Sequence, residues 1–315
     1  MDFTWLWIPA TLFAAAAQAG RNAVQRGLTQ TLGTLGATQV RFIYGFPFAL
    51  LFLLVAAALM DAPLPGINSR FVLFVAAGAG VQIAATALML AAMRERAFVV
   101  VTAWTKTEPV QVAIFGLVIL GDPFTLLGAI AVLIASAGVV LMSVRRAASA
   151  NDTQRAGARP VALGPVMLGL LAGACFALSA VSFRGAMLAL GGTSSQPPFL
   201  LLASWTLTWA LGIQVLMLAL WMALFQRELL RRCLAAWRIS LAGGLLGACA
   251  SQGWFIGFAL TSAANVRTLG LVEVLFAQLL SWRIFPQTFA QAASHREWLG
   301  ILLIISGVLL LLWAG

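Results

Sequence analysis

The sequence predicts an all-α membrane protein of ten transmembrane helices in two inverted five-helix repeats, and three observations carry that prediction. Of the 315 residues, 62% are hydrophobic and 9% charged, against about a quarter charged in an ordinary soluble domain. Polar punctuation divides the apolar residues into ten runs, each near the roughly 20 residues that a helix needs to cross a hydrocarbon core of about 30 Å. The longest polar stretch, Arg145 to Pro160, falls at the midpoint and leaves five runs on either side. Halves with an odd number of spans insert with opposite orientation, which is the organisation of an inverted repeat.

The first run, Trp5 to Arg26, follows an N-terminus without a basic region and continues past Ala17 without a cleavage pattern, so it reads as a permanent span rather than a signal peptide. Ala37 to Met60, Phe71 to Met93, Phe98 to Leu120 and Thr125 to Val144 complete the first set. The Ala/Ser/Gly-rich stretch that follows has no apolar periodicity and reads as a flexible linker. The second set is Val161 to Met187, Pro198 to Phe225, Trp237 to Leu260, Ala264 to Phe285 and Trp298 to Trp313. The expected division is a first repeat over 1–146, a linker over 147–160 and a second repeat over 161–315. Two echoes support internal repetition: Arg26-Gly27 ends the first span as Arg184-Gly185 ends the sixth, and Glu108 lies in the fourth as Glu273 lies in the ninth.

The net charge of +10 is scattered between apolar runs and forms no contiguous basic face, which excludes nucleic-acid binding. Placed in loops, the arginines report topology. Fifteen flank the odd-numbered loops, whereas Arg70, Arg184 and Arg267 mark the other side. The linker is therefore expected in the cytoplasm and both termini outside. Cys175, Cys233 and Cys249 lack metal or disulfide spacing, and His295 stands alone, so no metal site is expected. HExxH, GxSxG and Walker A motifs are missing, which argues against an enzyme.

An ionisable group at the centre of a spanning helix costs at least about 2.5–3.5 kcal/mol and is a functional candidate by default. The fourth span carries Trp104-Thr105-Lys106-Thr107-Glu108-Pro109, and the ninth carries Glu273. On one continuous helix Trp104, Glu108 and Gln111 share a face, while Lys106 points elsewhere. Pro109 removes a backbone donor and loosens the helix around Glu108. Each glutamate either pairs with an arginine of a neighbouring span and fixes packing, or alternates its protonation with the access state. Lys106 is either structural or a contact for an anionic solute.

Gln18, Asn22 and Gln25 line one face beside Arg21, and Gln82 and Thr86 form a shorter stripe; neither would face lipid. Gln252 and Trp254 in the eighth span are further candidates, and all of these serve either helix packing or substrate contact. Trp205, Thr208 and Trp209 share a face of the seventh span and read as packing. Gly243, Gly247, Gly253 and Gly257 give two GxxxG spacings that predict close helix approach.

Thr107-Glu108-Pro109-Val110, then Gly116, then Gly121-Asp122-Pro123-Phe124-Thr125 and Leu127-Gly128 with Gly138, resembles the closing motif of an EamA domain in the drug/metabolite transporter superfamily. Glu273, Leu299-Gly300 and Ser306-Gly307 resemble a second such domain, so the likeness spans nearly the whole chain. The resemblance implies ten helices in two inverted halves, a central cavity and transport of small metabolites, often by export. The chain departs from the family at Ile284-Phe285-Pro286, where Gly-Glu is usual, and in orientation, since family members generally keep both termini in the cytoplasm.

The expected function is that of a secondary transporter in the bacterial inner membrane, working by alternating access without a cofactor. Its expected partners are a small-molecule substrate, the lipid bilayer and, as coupling ion, a proton; the chain is a monomer or a homodimer. Arg21 and Lys106 suit a carboxylate-bearing solute such as an amino acid. The alternatives are a solute sensor or assembly protein with purely structural charges, and a lipid-modifying enzyme, which the lack of a reactive cluster disfavours.

Overall fold

The structure, a computed structural model, describes residues 3–95, 104–123, 125–149, 163–191, 198–284 and 295–314. The expected linker therefore lies almost entirely outside the described residues, as do Phe285-Pro286 and the side chains of Gln25 and Arg26. Every regular element among the described residues is helical.

The first two runs form one stretch of helix, α1, Trp7–Met60, where a loop was expected after Arg26. Gly33 breaks it with φ 67° and ψ 178°, a backbone region that is essentially glycine's alone. One residue thus replaces the loop and divides α1 into arms 7–32 and 34–60. Asn68 starts α2, Ser69–Glu95, accepting the Phe71 N–H on its Oδ1 at 2.8 Å. The short α3, Glu108–Phe115, continues through a π turn, Gly116–Leu120, and stops at Gly121, whose φ of 68° ends it. Thr125 Oγ1 accepts the Gly128 N–H at 3.0 Å and caps α4, Leu126–Ser149.

The second half has α5, Leu163–Leu190, and α6, Phe199–Phe225. An extra short helix, α7, Arg227–Ala235, fills what read as a loop before α8, Trp237–Leu260. The ninth run is discontinuous: α9, Ala263–Leu269, a 3-10 turn, Gly270–Val272, and α10, Glu273–Ile284. His295–Ala314 forms α11.

Five segments are long and apolar enough to cross a membrane: Leu35–Met60, Ser69–Met89, Val166–Leu190, Phe199–Phe225 and Ser240–Leu260. Glu108–Leu120, Leu126–Met142 and Trp298–Ala314 are shorter apolar helices. Large apolar side chains such as Leu54, Val118, Leu126 and Leu309 are exposed on them, as lipid-facing surfaces require and water disfavours. These features are those of a multi-pass membrane protein.

The chain forms two compact units, each drawing on both halves of the sequence: Met1–Gly80 with Ser179–Ser262, and Val81–Leu178 with Ala263–Gly315. The first is built on α8, which packs against both arms of α1. A Cβ on Gly253 would lie 2.6 Å from the Ala10 carbonyl oxygen, so this one of the predicted glycines brings backbones together, whereas Gly243 and Gly247 meet side chains at ordinary contact distance; the second close approach is at Gly244, outside the expected spacing, where a Cβ would lie 2.6 Å from the Tyr44 carbonyl. Trp205 and Trp209 stack edge-on, and Thr208 donates to the Ser204 and Ala49 carbonyls at 2.8 and 3.3 Å, which is the packing role expected of that face.

The second unit is organised around α4 and α11. Gly138 and Gly300 face each other's carbonyls, and a Cβ on Gly307 would lie 2.7 Å from the Ala135 nitrogen. The motif glycines of the two halves thus form one close helix seam.

Candidate functional site

The second unit holds the polar centre. Lys106 and Thr107 form a turn between Trp104-Thr105 and α3, so the fourth span is not one helix and the expected Trp104–Glu108–Gln111 face is interrupted. Pro109 lies in the first turn of α3, where its missing N–H has no helical partner to lose. Thr107 closes the turn: its N–H and Oγ1 both donate to the Trp104 carbonyl, at 3.3 and 2.8 Å. Gln111 Nε2 donates to Thr107 Oγ1 at 3.2 Å. On α5, Gly169 and Gly173 leave room for Trp104 and Thr105; a Cβ on Gly169 would lie 2.9 Å from the Trp104 side chain.

The two helix breaks place charges where helix ends favour them. Glu108 and Glu273 occupy the first turns of α3 and α10, and Arg267 the last turn of α9, each complementing the partial charge of its terminus. Lys106 Nζ donates to Glu273 Oε2 at 3.0 Å, with side chains 18% and 9% exposed. Arg267 Nε lies 3.1 Å from Glu108 Oε1, with side chains 14% and 13% exposed. Both ion pairs join the first sequence half to the second, and the pairing is crossed: each discontinuous span supplies one cation and one carboxylate, and each faces its counter-ion on the other span, with a hydrogen bond in the Lys106–Glu273 pair. The quartet is neutral. Its burial makes every partner dependent on its counter-ion, because an uncompensated charge in such surroundings costs several kcal/mol.

Arg267 was read as a loop marker, and its place in a buried pair corrects that reading. It lies inside the Ala264 to Phe285 run, so the rule that flagged Lys106 applies to it equally. Arg184, another such marker, donates to the Phe258 carbonyl at 2.8 Å and to the Thr261 carbonyl, capping the C-terminus of α8.

The candidates divide between the units. Trp104, Lys106, Glu108, Gln111, Gln82 and Glu273 belong to the second, where the Gln82 carbonyl accepts Thr86 Oγ1 at 2.9 Å within α2. Gln18, Arg21, Asn22, Gln252 and Trp254 belong to the first. There Trp254 Nε1 donates to Gln18 Oε1 at 3.0 Å, and Gln252 Nε2 to Ser204 Oγ at 2.9 Å. Asn22 Oδ1 accepts Arg21 Nε and Nη2 at 3.2 and 2.8 Å. Ser204 was missed because a lone serine in an apolar run carries no pattern. Among the described residues no group of three or more His, Cys, Asp or Glu side chains is placed to hold a metal.

No family model and no curated protein matches the chain. It is similar to a solved crystal structure described only as that of a protein, with a TM-score of 0.65 and 15% identity over 99% of this chain and 98% of that one. At that identity the likeness concerns the fold alone.

Proposed function

We propose that the chain is a secondary transporter of the EamA type, with ten spans in two inverted halves, that moves a small carboxylate-bearing solute across a bacterial inner membrane by alternating access, in the direction of export. The observation that carries this reading is the crossed pair of ion pairs at the breaks of two discontinuous helices, the kind of helix from which transporters form substrate and coupling-ion sites. A solute carboxylate can replace Glu273 on Lys106 or Glu108 on Arg267. The displaced glutamate then needs a new positive partner: a proton, which makes the proton the coupling ion, or an amino group of the solute itself. No cofactor enters this cycle. The linker is cytoplasmic, both termini are outside, and the working form is a monomer or a homodimer.

If the pairs are worth about 1.4 kcal/mol more in one access state than in the other, losing one shifts that equilibrium about tenfold. Glu108→Gln, reconstituted in liposomes, should therefore lower solute flux about tenfold and flatten its pH dependence. Flux and pH profile equal to those of the unaltered chain would contradict the role given to Glu108. A sensor or assembly protein with structural charges is the second reading, favoured by the fact that each of the four charges already has a counter-ion. Protein-dependent flux of any solute separates the two.

A further inference from the structure

The helix α7 presents two chemically different sides. Inward, Cys233 is buried in a cluster with Leu28, Leu32 and Met222, against which Leu229 and Leu230 pack. Tyr44 Oη donates to the carbonyls of Leu234 at 2.9 Å and Cys233 at 3.2 Å, and Arg232 Nη2 donates to the Thr31 carbonyl at 2.7 Å. These bonds fix α7 against α1 beside its Gly33 break.

Outward, the stretch 226–238 carries four arginines, Arg227, Arg231, Arg232 and Arg238, and a single acid, Glu228. All five are exposed; the Arg231 side chain is 80% so and lies 4.0 Å from Glu228. At such exposure that pair neutralises little. Leu224 and Phe225 at the end of α6, Leu234 on α7 and Trp237 at the start of α8 are exposed apolar side chains flanking this stretch in sequence, with the Arg238 guanidinium 5.3 Å from the Trp237 ring. An amphipathic helix with a basic face and an apolar fringe lies in the plane of a membrane interface. Trp221 and Trp237, exposed at the adjoining ends of α6 and α8, stand where interfacial tryptophans anchor.

We propose that α7 and the adjoining ends of α6 and α8 form a binding surface for anionic phospholipids, with headgroup phosphates on Arg227, Arg231 and Arg238 and acyl chains against the exposed apolar side chains. Guanidinium groups match phosphate oxygens in a bidentate fork, and the exposed apolar side chains offer acyl chains a surface that a soluble anion would not use. The surface rests on the membrane part of the reading above and not on transport.

The full chain is placed in nanodiscs of phosphatidylcholine with and without phosphatidylglycerol, and followed by thermal unfolding and by mass spectrometry of the lipids it retains. Phosphatidylglycerol should raise the unfolding temperature and be retained over phosphatidylcholine. Each arginine near an anionic surface contributes about fivefold. Arg231→Gln should therefore lower the relative retention about fivefold, and Arg227→Gln/Arg231→Gln/Arg238→Gln should abolish it, whereas Arg70→Gln, exposed at the start of α2, should not. If the triple variant fails to fold, the single Arg231→Gln change on an exposed side chain carries the test. Equal retention of both lipids, an unchanged ratio in Arg231→Gln, or the same stabilisation by soluble glycerol phosphate would overturn the surface while leaving the membrane reading intact. Recovery of the chain without detergent in the soluble fraction would overturn both. A chain that prefers phosphatidylglycerol and moves no solute would keep the surface and contradict transport.

Discussion

Lys106 and Glu273 stand 167 residues apart and meet at 3.0 Å. Removing either partner of such a pair leaves the other charge buried, which costs about 3–5 kcal/mol, whereas replacing both by apolar residues of similar size is often close to neutral. Glu273→Gln should thus lower the unfolding temperature in detergent substantially, and Lys106→Met/Glu273→Leu should recover most of that loss while still lacking flux. A double variant as unstable as the single one would contradict the pairing. At Cys233, burial pushes the thiol up and Arg232 offsets part of the rise. The folded pKa then exceeds the unfolded one, so the contribution of the neutral thiol to stability is complete below the ordinary thiol range and fades as pH rises through the folded value. In a Cys175→Ala/Cys249→Ala background, iodoacetamide should alkylate Cys233 far more slowly in the folded chain than in urea at pH 8, and equal rates would contradict its burial. Both glutamates were legible in the sequence because a carboxylate in an apolar run is costly. Their partners were less so: the cation for each lies on a distant span, and only folding brings it near.

Helix breaks set the geometry of the elements. Gly33→Ala would force a β-carbon into a backbone region reserved for glycine, at about 1–3 kcal/mol, and should loosen the contact of α8 with both arms of α1. Gly244→Ala places a Cβ 2.6 Å from the Tyr44 carbonyl carbon and oxygen and should be worse, because that neighbour is backbone and cannot rotate away. Thermal unfolding of the two variants gives the order directly, and a Gly244→Ala chain as stable as the unaltered one would contradict the close approach. The GxxxG pattern pointed to this helix and to Gly253 but not to Gly244, which stands beside the spaced pair Gly243 and Gly247. The joined α1 was not readable: residues 26–36, with Thr29-Gln30-Thr31 and three glycines, read as a loop, yet the non-helical backbone is confined to Gly33. The helix α7 was missed for the opposite reason, because four arginines in a stretch of thirteen residues, 226–238, conceal the inward row of Leu229, Leu230 and Cys233.

Across the chain, eight of the ten expected apolar runs have a counterpart among the five long apolar segments and three shorter apolar helices of the described residues, and the first and ninth runs have none; breaks fall at Gly33, Lys106-Thr107 and Gly270–Val272, where a hydropathy pattern records only continuity. The expected repeats and the compact units divide the chain differently, because sequence order need not follow packing partners. For the orientation proposed above, a C-terminal reporter active only in the cytoplasm should be silent in bacteria, and strong activity would reverse the topology. Under the proposed function, crossed ion pairs between two broken helices serve solute movement. Its most direct test is efflux from liposomes loaded with a mixture of amino acids and small carboxylic acids, followed by mass spectrometry, for the unaltered chain, Glu108→Gln and the charge swap Lys106→Glu/Glu273→Lys. The account predicts protein-dependent efflux of at least one solute, a loss of about tenfold in Glu108→Gln and partial recovery in the swap relative to Glu273→Lys alone. Efflux no faster than from protein-free liposomes for every solute, or equal efflux in Glu108→Gln, would contradict it.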